Sequence, residues 1–187
     1  DGTSRFINNG RDEKFKQNYQ EAKKAGIPVG AYHYCYARSI EEAKKEAEFF
    51  LSVIKGKQFE YPVILDLEDK NQQDIDKVTL TDMAIAFLDT IEKAGYYVML
   101  YSNKYWLENK LKYDRLKRFD IWLAQWAEKP TWEGNFGIWQ YTSDGSVDGI
   151  QGRVDMNIAY RDYPTIIKKA GLNGFGGDKP PSRSESE

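Results

Sequence analysis

Residues 62–70 read PVILDLEDK, an apolar run that ends in three carboxylates, Asp66, Glu68 and Asp69. A buried carboxylate is costly unless it is paired or used. The stretch is therefore either a strand running out into solvent or a strand delivering acids to a site. The side-chain period of two along a strand puts Asp66 and Glu68 on one face and Leu67 on the other, with the two alpha carbons about 6.6 Å apart. Carboxyls held that close cannot both ionise freely, and the less solvated one should keep its proton toward neutral pH. That is what a proton donor beside an ionised partner needs when a glycosidic bond is cleaved. Asp69 has the opposite parity and reads as a solvated loop acid.

Working outward, DEKFKQNYQEAKKAG sets Phe15, Tyr19 and Ala22 at helical spacing and stops at Gly26, just before Pro28. VGAYHYCY then reads as a buried strand over about 29–35. Ser39 with Glu42 three residues on forms a capping box, followed by Ala43, Ala47, Phe50, Leu51 and Ile54 on one face. YPVILDLE is the next strand, Leu80 to Ile91 the next helix, and YYVMLYS the strand after it. Alternating helices and strands imply a parallel sheet. With strand ends near Tyr34, Glu68, Tyr101, Trp126, Tyr141 and Asp155, the intervals shrink along the chain. A full strand-helix unit needs roughly 30 residues, so only the early units have room for a helix. The late strands DIWLAQW, FGIWQYT and GRVDMN must be joined by loops or turns, some of them antiparallel. The expected fold is α/β, an irregular TIM-like barrel stripped of helices late, over residues 1–170. Residues 171–187, rich in glycine, proline, serine and charge, read as a flexible tail or linker.

Composition narrows the function. A net charge of -2 over 187 residues offers no field for nucleic acid or an anionic membrane. No apolar run reaches the roughly 18 residues of a membrane span, and DGTSRFINNG lacks a signal-peptide core. One His and one Cys make a zinc site of the usual kind untenable, and neither a phosphate-binding glycine loop nor a G-x-S-x-G elbow occurs. Neither a metal nor a cofactor is expected. Cys35, in an aromatic strand, reads as inert core, and His33, between Tyr32 and Tyr34, as a satisfied barrel histidine rather than a catalyst. Other strand ends carry Tyr101 with Ser102, Gln125 with Trp126, Gln140 with Tyr141, and Asp155 with Asn157. Converging acids, amides and rings suit a sugar chain. Trp122, Trp126 and Trp139 fit either core packing or a sugar platform.

GIPVGAYHYCYA, PVILDLED, VMLYSN, IWLAQW and IWQYTSDGSVDGIQGRVDMN together resemble the strand motifs of glycoside hydrolase family 25, the lysozyme-like muramidases of phage endolysins and bacterial autolysins, over about residues 1–167. The resemblance implies hydrolysis of the β-1,4 bond between N-acetylmuramic acid and N-acetylglucosamine in peptidoglycan, without metal or cofactor. It makes Glu68 the general acid/base and Asp66 the carboxylate assisting at the anomeric carbon. It makes Tyr32 and Tyr101 active-site tyrosines and Asp155 the last-strand carboxylate, and Tyr34, Trp122, Gln125 and Gln140, read from their strands, are expected against the substrate beside them. It further implies action on the bacterial cell wall, either extracellular or after release by phage lysis, and a C-terminal wall-binding module in the parent protein. Family members open with a G-[IV]-D-V-S strand and a V-x-I-K-A-x-E-G strand, which do not occur in this sequence. Six of eight barrel strands are therefore expected here, with an open edge inviting self-association and weakened chemistry.

Overall fold

The computed structural model describes residues 12–176. Its centre is a 6-stranded sheet whose spatial order follows the chain: β1 (Ala31–Tyr34), β2 (Val63–Asp66), β3 (Val98–Asn103), β4 (Asp120–Ala124), β5 (Ile138–Gly145) and β6 (Val154–Ala159). The first five strands run parallel, and β6 returns antiparallel to β5 through a bulged ladder. Among the described residues β1 and β6 are the sheet's edges, so it forms a curled half-barrel, as the six expected strands imply.

Helix content follows the shrinking intervals. After α1 (Phe15–Lys24), the long intervals hold α2 (Ile40–Ile54) and α3 (Lys77–Lys93). The next has room only for α4 (Lys104–Asn109) and α5 (Tyr113–Leu116), and no helix separates β4, β5 and β6. At the start of α2 the Ser39 hydroxyl accepts the Glu42 N–H at 3.2 Å. The Glu42 carboxylate accepts the N–H of Arg38 at 2.7 Å, so the capping box closes one residue earlier than expected.

The parity of the strands separates two cores. Val63, Leu65, Leu67, Val98, Leu100, Ile121 and Leu123 point outward and pack under α2 and α3 with Phe50, Phe87 and Leu88. Ile64, Met99, Tyr101, Ala124 and Ile138 point inward, where they meet Tyr163 and Ile167 of α6 (Tyr163–Ala170). The helix α6 closes the end of the half-barrel where the parallel strands begin. There the Tyr163 hydroxyl donates to Asp120 Oδ2 at 2.7 Å, and the Tyr97 hydroxyl donates to the same oxygen at 3.1 Å.

Gly137, just before β5, makes that contact possible, since a Cβ there would lie 1.8 Å from the Tyr163 hydroxyl. Gly137→Ala is therefore expected to destabilise the fold by about 1–3 kcal/mol in urea denaturation. An unchanged unfolding midpoint would show that α6 does not dock against β4 and β5.

Packing continues past residue 170, where the sequence suggested a flexible tail. Asn173 is fully buried. Its side-chain amide donates to the carbonyls of Phe59 and Tyr61 and its Oδ1 accepts the Tyr97 N–H, tying the strand starts together. The packed region thus includes 171–176, and the remainder of the expected tail lies outside the described residues.

Candidate active site

The site lies at the opposite end of the sheet from α6, where the parallel strands finish. Ladder register sets Tyr34, Asp66, Tyr101 and Trp122 side by side in one row across β1 to β4, all on the inward face. Ala124, Gln140 and Asn157 form the corresponding row on β4 to β6.

The strand β2 ends at Asp66, two residues before the expected end, yet the chain stays extended for one more step. The Leu67 N–H donates to the Tyr101 carbonyl at 3.0 Å, and the Ser102 hydroxyl donates to the Leu67 carbonyl at 2.7 Å. Asp66 and Glu68 therefore remain on the side of Leu67 facing the half-barrel. Asp66 is 8% exposed, and its Oδ1 is buried without a hydrogen-bond partner among the described residues. Burial, reinforced by the negative charge of Glu68, pushes the Asp66 carboxyl up to about 8 from its ordinary 3.8. Glu68 is half-buried. Its carboxyl is also raised, by desolvation, with the Asn103 amide hydrogen-bonding to it and opposing the rise, and the Asp155 carboxylate adding to it. Asp66 is thus the less solvated of the two, the member that the spacing argument expects to keep its proton.

Tyrosines complete the acid cluster. Tyr32 is 64% exposed, and its hydroxyl feels Asp66 and Asp155 as well as its own partial burial. Tyr101 is buried, and its hydroxyl donates to Gln140 Oε1 at 3.1 Å. Burial first, then Glu68, Asp66 and Asp155, hold Tyr101 far above the ordinary tyrosine range and keep it a neutral donor. Tyr34 packs at a tilt against Tyr36, ring centroids 4.9 Å apart, and is raised by burial and by Asp69, Glu68 and Asp66. Trp122 meets Tyr101 edge-on at 4.8 Å and donates its Nε1–H to Asn157 Oδ1 at 2.8 Å. The inward surface forms a cavity of about 360 Å³ lined by Tyr32, Ile64, Trp122, Ile138 and Asn157. A larger groove of about 520 Å³ runs along β1 beneath α1 and α2 and includes neither Asp66 nor Glu68.

The three tryptophans divide. Trp139 points outward into the core and donates to the Gln125 carbonyl at 2.8 Å. Trp126, just past β4, is 64% exposed, yet its Nε1–H donates to the buried Gln140 Oε1 at 3.0 Å. An exposed ring held by a buried amide is a fixed apolar face.

Two expectations are corrected. Gln125 has outward parity, opposite to Trp122 and Trp126, and its amide is consumed by Thr131: Nε2 donates to the Thr131 hydroxyl at 2.8 Å and Oε1 accepts the Thr131 N–H at 3.0 Å. It shapes a loop and does not face the acids. Asp69 is not a solvated acid, because the chain turns after Glu68 into a 3-10 segment (Lys70–Gln72) and strand parity no longer applies. Asp69 is buried, caps that turn by accepting the Asn71 N–H at 2.8 Å, and takes a hydrogen bond from Tyr34. His33 matches its structural reading, with Nε2 2.8 Å from Glu46 Oε2 and its ring stacked 5.5 Å from Phe87. Asn103 is a site residue that the sequence reading did not single out, although it is the last residue of the quoted VMLYSN.

Comparison with known proteins adds to this geometry. The chain is 29% identical over 147 residues to the autolytic lysozyme of Clostridium acetobutylicum, a match covering 78% of this chain and 44% of that protein. The structure of the CTP1L endolysin superposes with a TM-score of 0.74 at 32% identity, covering 86% of this chain and 57% of that one. The modular autolysin LytC of Streptococcus pneumoniae gives 0.70 at 33% identity, covering 79% and 37%. The chain thus spans about half the length, or less, of these relatives. The profile of the glycosyl hydrolases matches residues 8–150, so that this chain belongs to glycosyl hydrolases family 25.

Proposed function

We propose that this domain is a muramidase that cleaves the β-1,4 bond between N-acetylmuramic acid and N-acetylglucosamine in bacterial peptidoglycan, with Asp66 and Glu68 as its working acids. The observation that carries the reading is the pair itself: two carboxyls at the end of one strand, both raised by burial, with Tyr34, Tyr101 and Trp122 in the same inward row as Asp66. The names of the matched autolytic lysozyme and endolysin support it.

In the resting protein the proton sits on Asp66. A bound glycan excludes water from the more open Glu68, which favours its protonated form. Positive charge developing at the anomeric carbon favours an ionised Asp66 beside it. The shared proton then passes to Glu68, which donates it to the departing glycosidic oxygen, while Asp66 becomes the carboxylate that stabilises the cation. Water then adds to the anomeric carbon and gives its proton to the ionised Glu68, which restores one proton to the pair. Tyr32, held neutral, donates a hydrogen bond to a sugar oxygen, Tyr101, whose proton is given to Gln140, accepts one from a sugar hydroxyl, and Asp155 accepts from sugar hydroxyls. Trp126 offers its fixed face to a sugar ring. Trp126→Ala is expected to raise KM for glycan fragments about 2–10-fold, the scale of a lost stacking contact, with a much smaller change in kcat. A fall in kcat alone would remove Trp126 from binding.

The site of action on this reading is the bacterial cell wall. The match to a protein described as modular supports a wall-binding module joined to this domain in the parent protein. Release of reducing ends from purified walls across pH tests the function. One shared proton predicts a bell, with its acid limb above the ordinary glutamate value of 4.5 and its alkaline limb near about 8. Absence of release at every pH would overturn the muramidase reading.

A further inference from the structure

We propose that Ser102 and Asn103 are positioning residues that clamp the Asp66-Leu67-Glu68 segment to the end of β3 and so place Glu68 over the bond to be broken. The inference rests on the muramidase reading and names two residues that act through the acids rather than on the substrate.

The clamp replaces a ladder that has run out. Past Asp66, β2 makes no further strand pairing, and a segment leaving a sheet is free to swing. Here three consecutive residues of β3 hold it. The Tyr101 carbonyl accepts the Leu67 N–H at 3.0 Å, and the Ser102 hydroxyl, fully buried, donates to the Leu67 carbonyl at 2.7 Å. Both backbone groups of the residue between the two acids are thereby satisfied, and the peptide plane carrying Glu68 is fixed.

Asn103 acts one step farther along. Its Oδ1 accepts the Trp106 N–H at 3.0 Å as the N-cap of α4, which fixes the plane of its amide. The amide nitrogen is left to donate to the Glu68 carboxylate. One side chain therefore starts a helix with one end and orients an acid with the other. Ser alone at position 102 would fix the backbone but leave the Glu68 side chain free to rotate. Asn at 103 favours the ionised form of Glu68. The other ionisable groups facing Glu68 are Asp66 on β2, Tyr34 on β1, Tyr101 on β3 and Asp155 on β6. None of these donates to it as a cation would, so Asn103 is the neutral counterweight in an acidic cluster.

Two variants separate positioning from simple support. Asn103→Asp keeps an equally good N-cap, so α4 and the unfolding midpoint should be retained, but it loses the donor and adds a like charge. Ser102→Ala removes the hydroxyl that holds Leu67. In the full protein, Asn103→Asp should shift the Glu68 carboxyl titration upward by roughly one pH unit. The shift would be followed by carbon-13 NMR with Glu68→Gln as the assignment control, and the acid limb of the wall-hydrolysis profile should move with it. Ser102→Ala should lower kcat on soluble glycan fragments about 10–100-fold with KM held within about twofold. An Asn103→Asp protein whose Glu68 titration coincides with wild type overturns the clamp, whether or not walls are hydrolysed. Equal kcat in Ser102→Ala and wild type does the same. A wild-type protein that releases no reducing ends overturns the muramidase reading instead, and the Glu68 titration still decides the clamp.

Discussion

Glu68→Gln is expected to lower the release of reducing ends from cell walls by about 10²–10⁴-fold, the usual contribution of a positioned proton donor, while wall binding persists. Glutamine keeps the shape of the side chain and its bond with Asn103 but carries no transferable proton. Glu68 is only half-buried, whereas Asp66 sits deeper and has no partner for its Oδ1 among the described residues. On the proposed reading, the difference in access gives proton delivery to Glu68 and the resting proton to Asp66. Equal, nonzero release from wild type and Glu68→Gln would remove Glu68 from the chemistry. Binding without release by both would make the domain a saccharide-binding module.

Asp66→Asn is expected to act in opposite directions on activity and stability. Turnover should fall by about 10²-fold or more, because an amide cannot become the carboxylate that the developing cation requires. Stability should rise relative to wild type, and the gain should grow with pH. The sign follows from linkage. Asp66 is raised to about 8 in the folded chain against 3.8 ordinarily, so between those values the folded state binds a proton that the unfolded state has lost. The contribution of Asp66 to stability is complete below the lower value and lost as pH climbs through the window, at up to about 1.4 kcal/mol per pH unit. Asparagine has no such dependence. Urea denaturation of both proteins at about pH 5 and about pH 8 measures it. Parallel pH dependences would show that Asp66 is not buried with its proton.

Much of this arrangement is legible in the chain because it depends on period. Alternation on β1 to β4 separates helix-covered residues from barrel-facing ones, and that parity alone puts Asp66, Tyr101 and Trp122 together. The same rule assigns Gln125 outward, so the identity of the residue type misled where its position did not. Spacing also anticipates the loss of late helices, since a chain cannot fit a crossover helix into too few residues. Legibility ends where the chain leaves regular structure. Asp69 lies past the end of β2, in a turn that follows the Leu67 carbonyl held by Ser102 from another strand. Asn173 looks like tail from its glycine-rich surroundings, but its amide matches three backbone groups distant in sequence. Asn103 carries a cap signal before α4, and nothing local shows that its other end meets an acid 35 residues earlier. Each is a side-chain bond across the fold, which periodicity does not encode.

The most direct test is to identify the sugar at the newly formed chain ends. Purified walls are digested, the products reduced with borohydride and the reduced residues identified by mass spectrometry. The muramidase reading predicts reduced N-acetylmuramic acid from the wild-type protein, and the role of Glu68 as proton donor predicts a loss of about 10²-fold or more with Glu68→Gln. Reduced N-acetylglucosamine in its place, or equal yields from the two proteins, would contradict it.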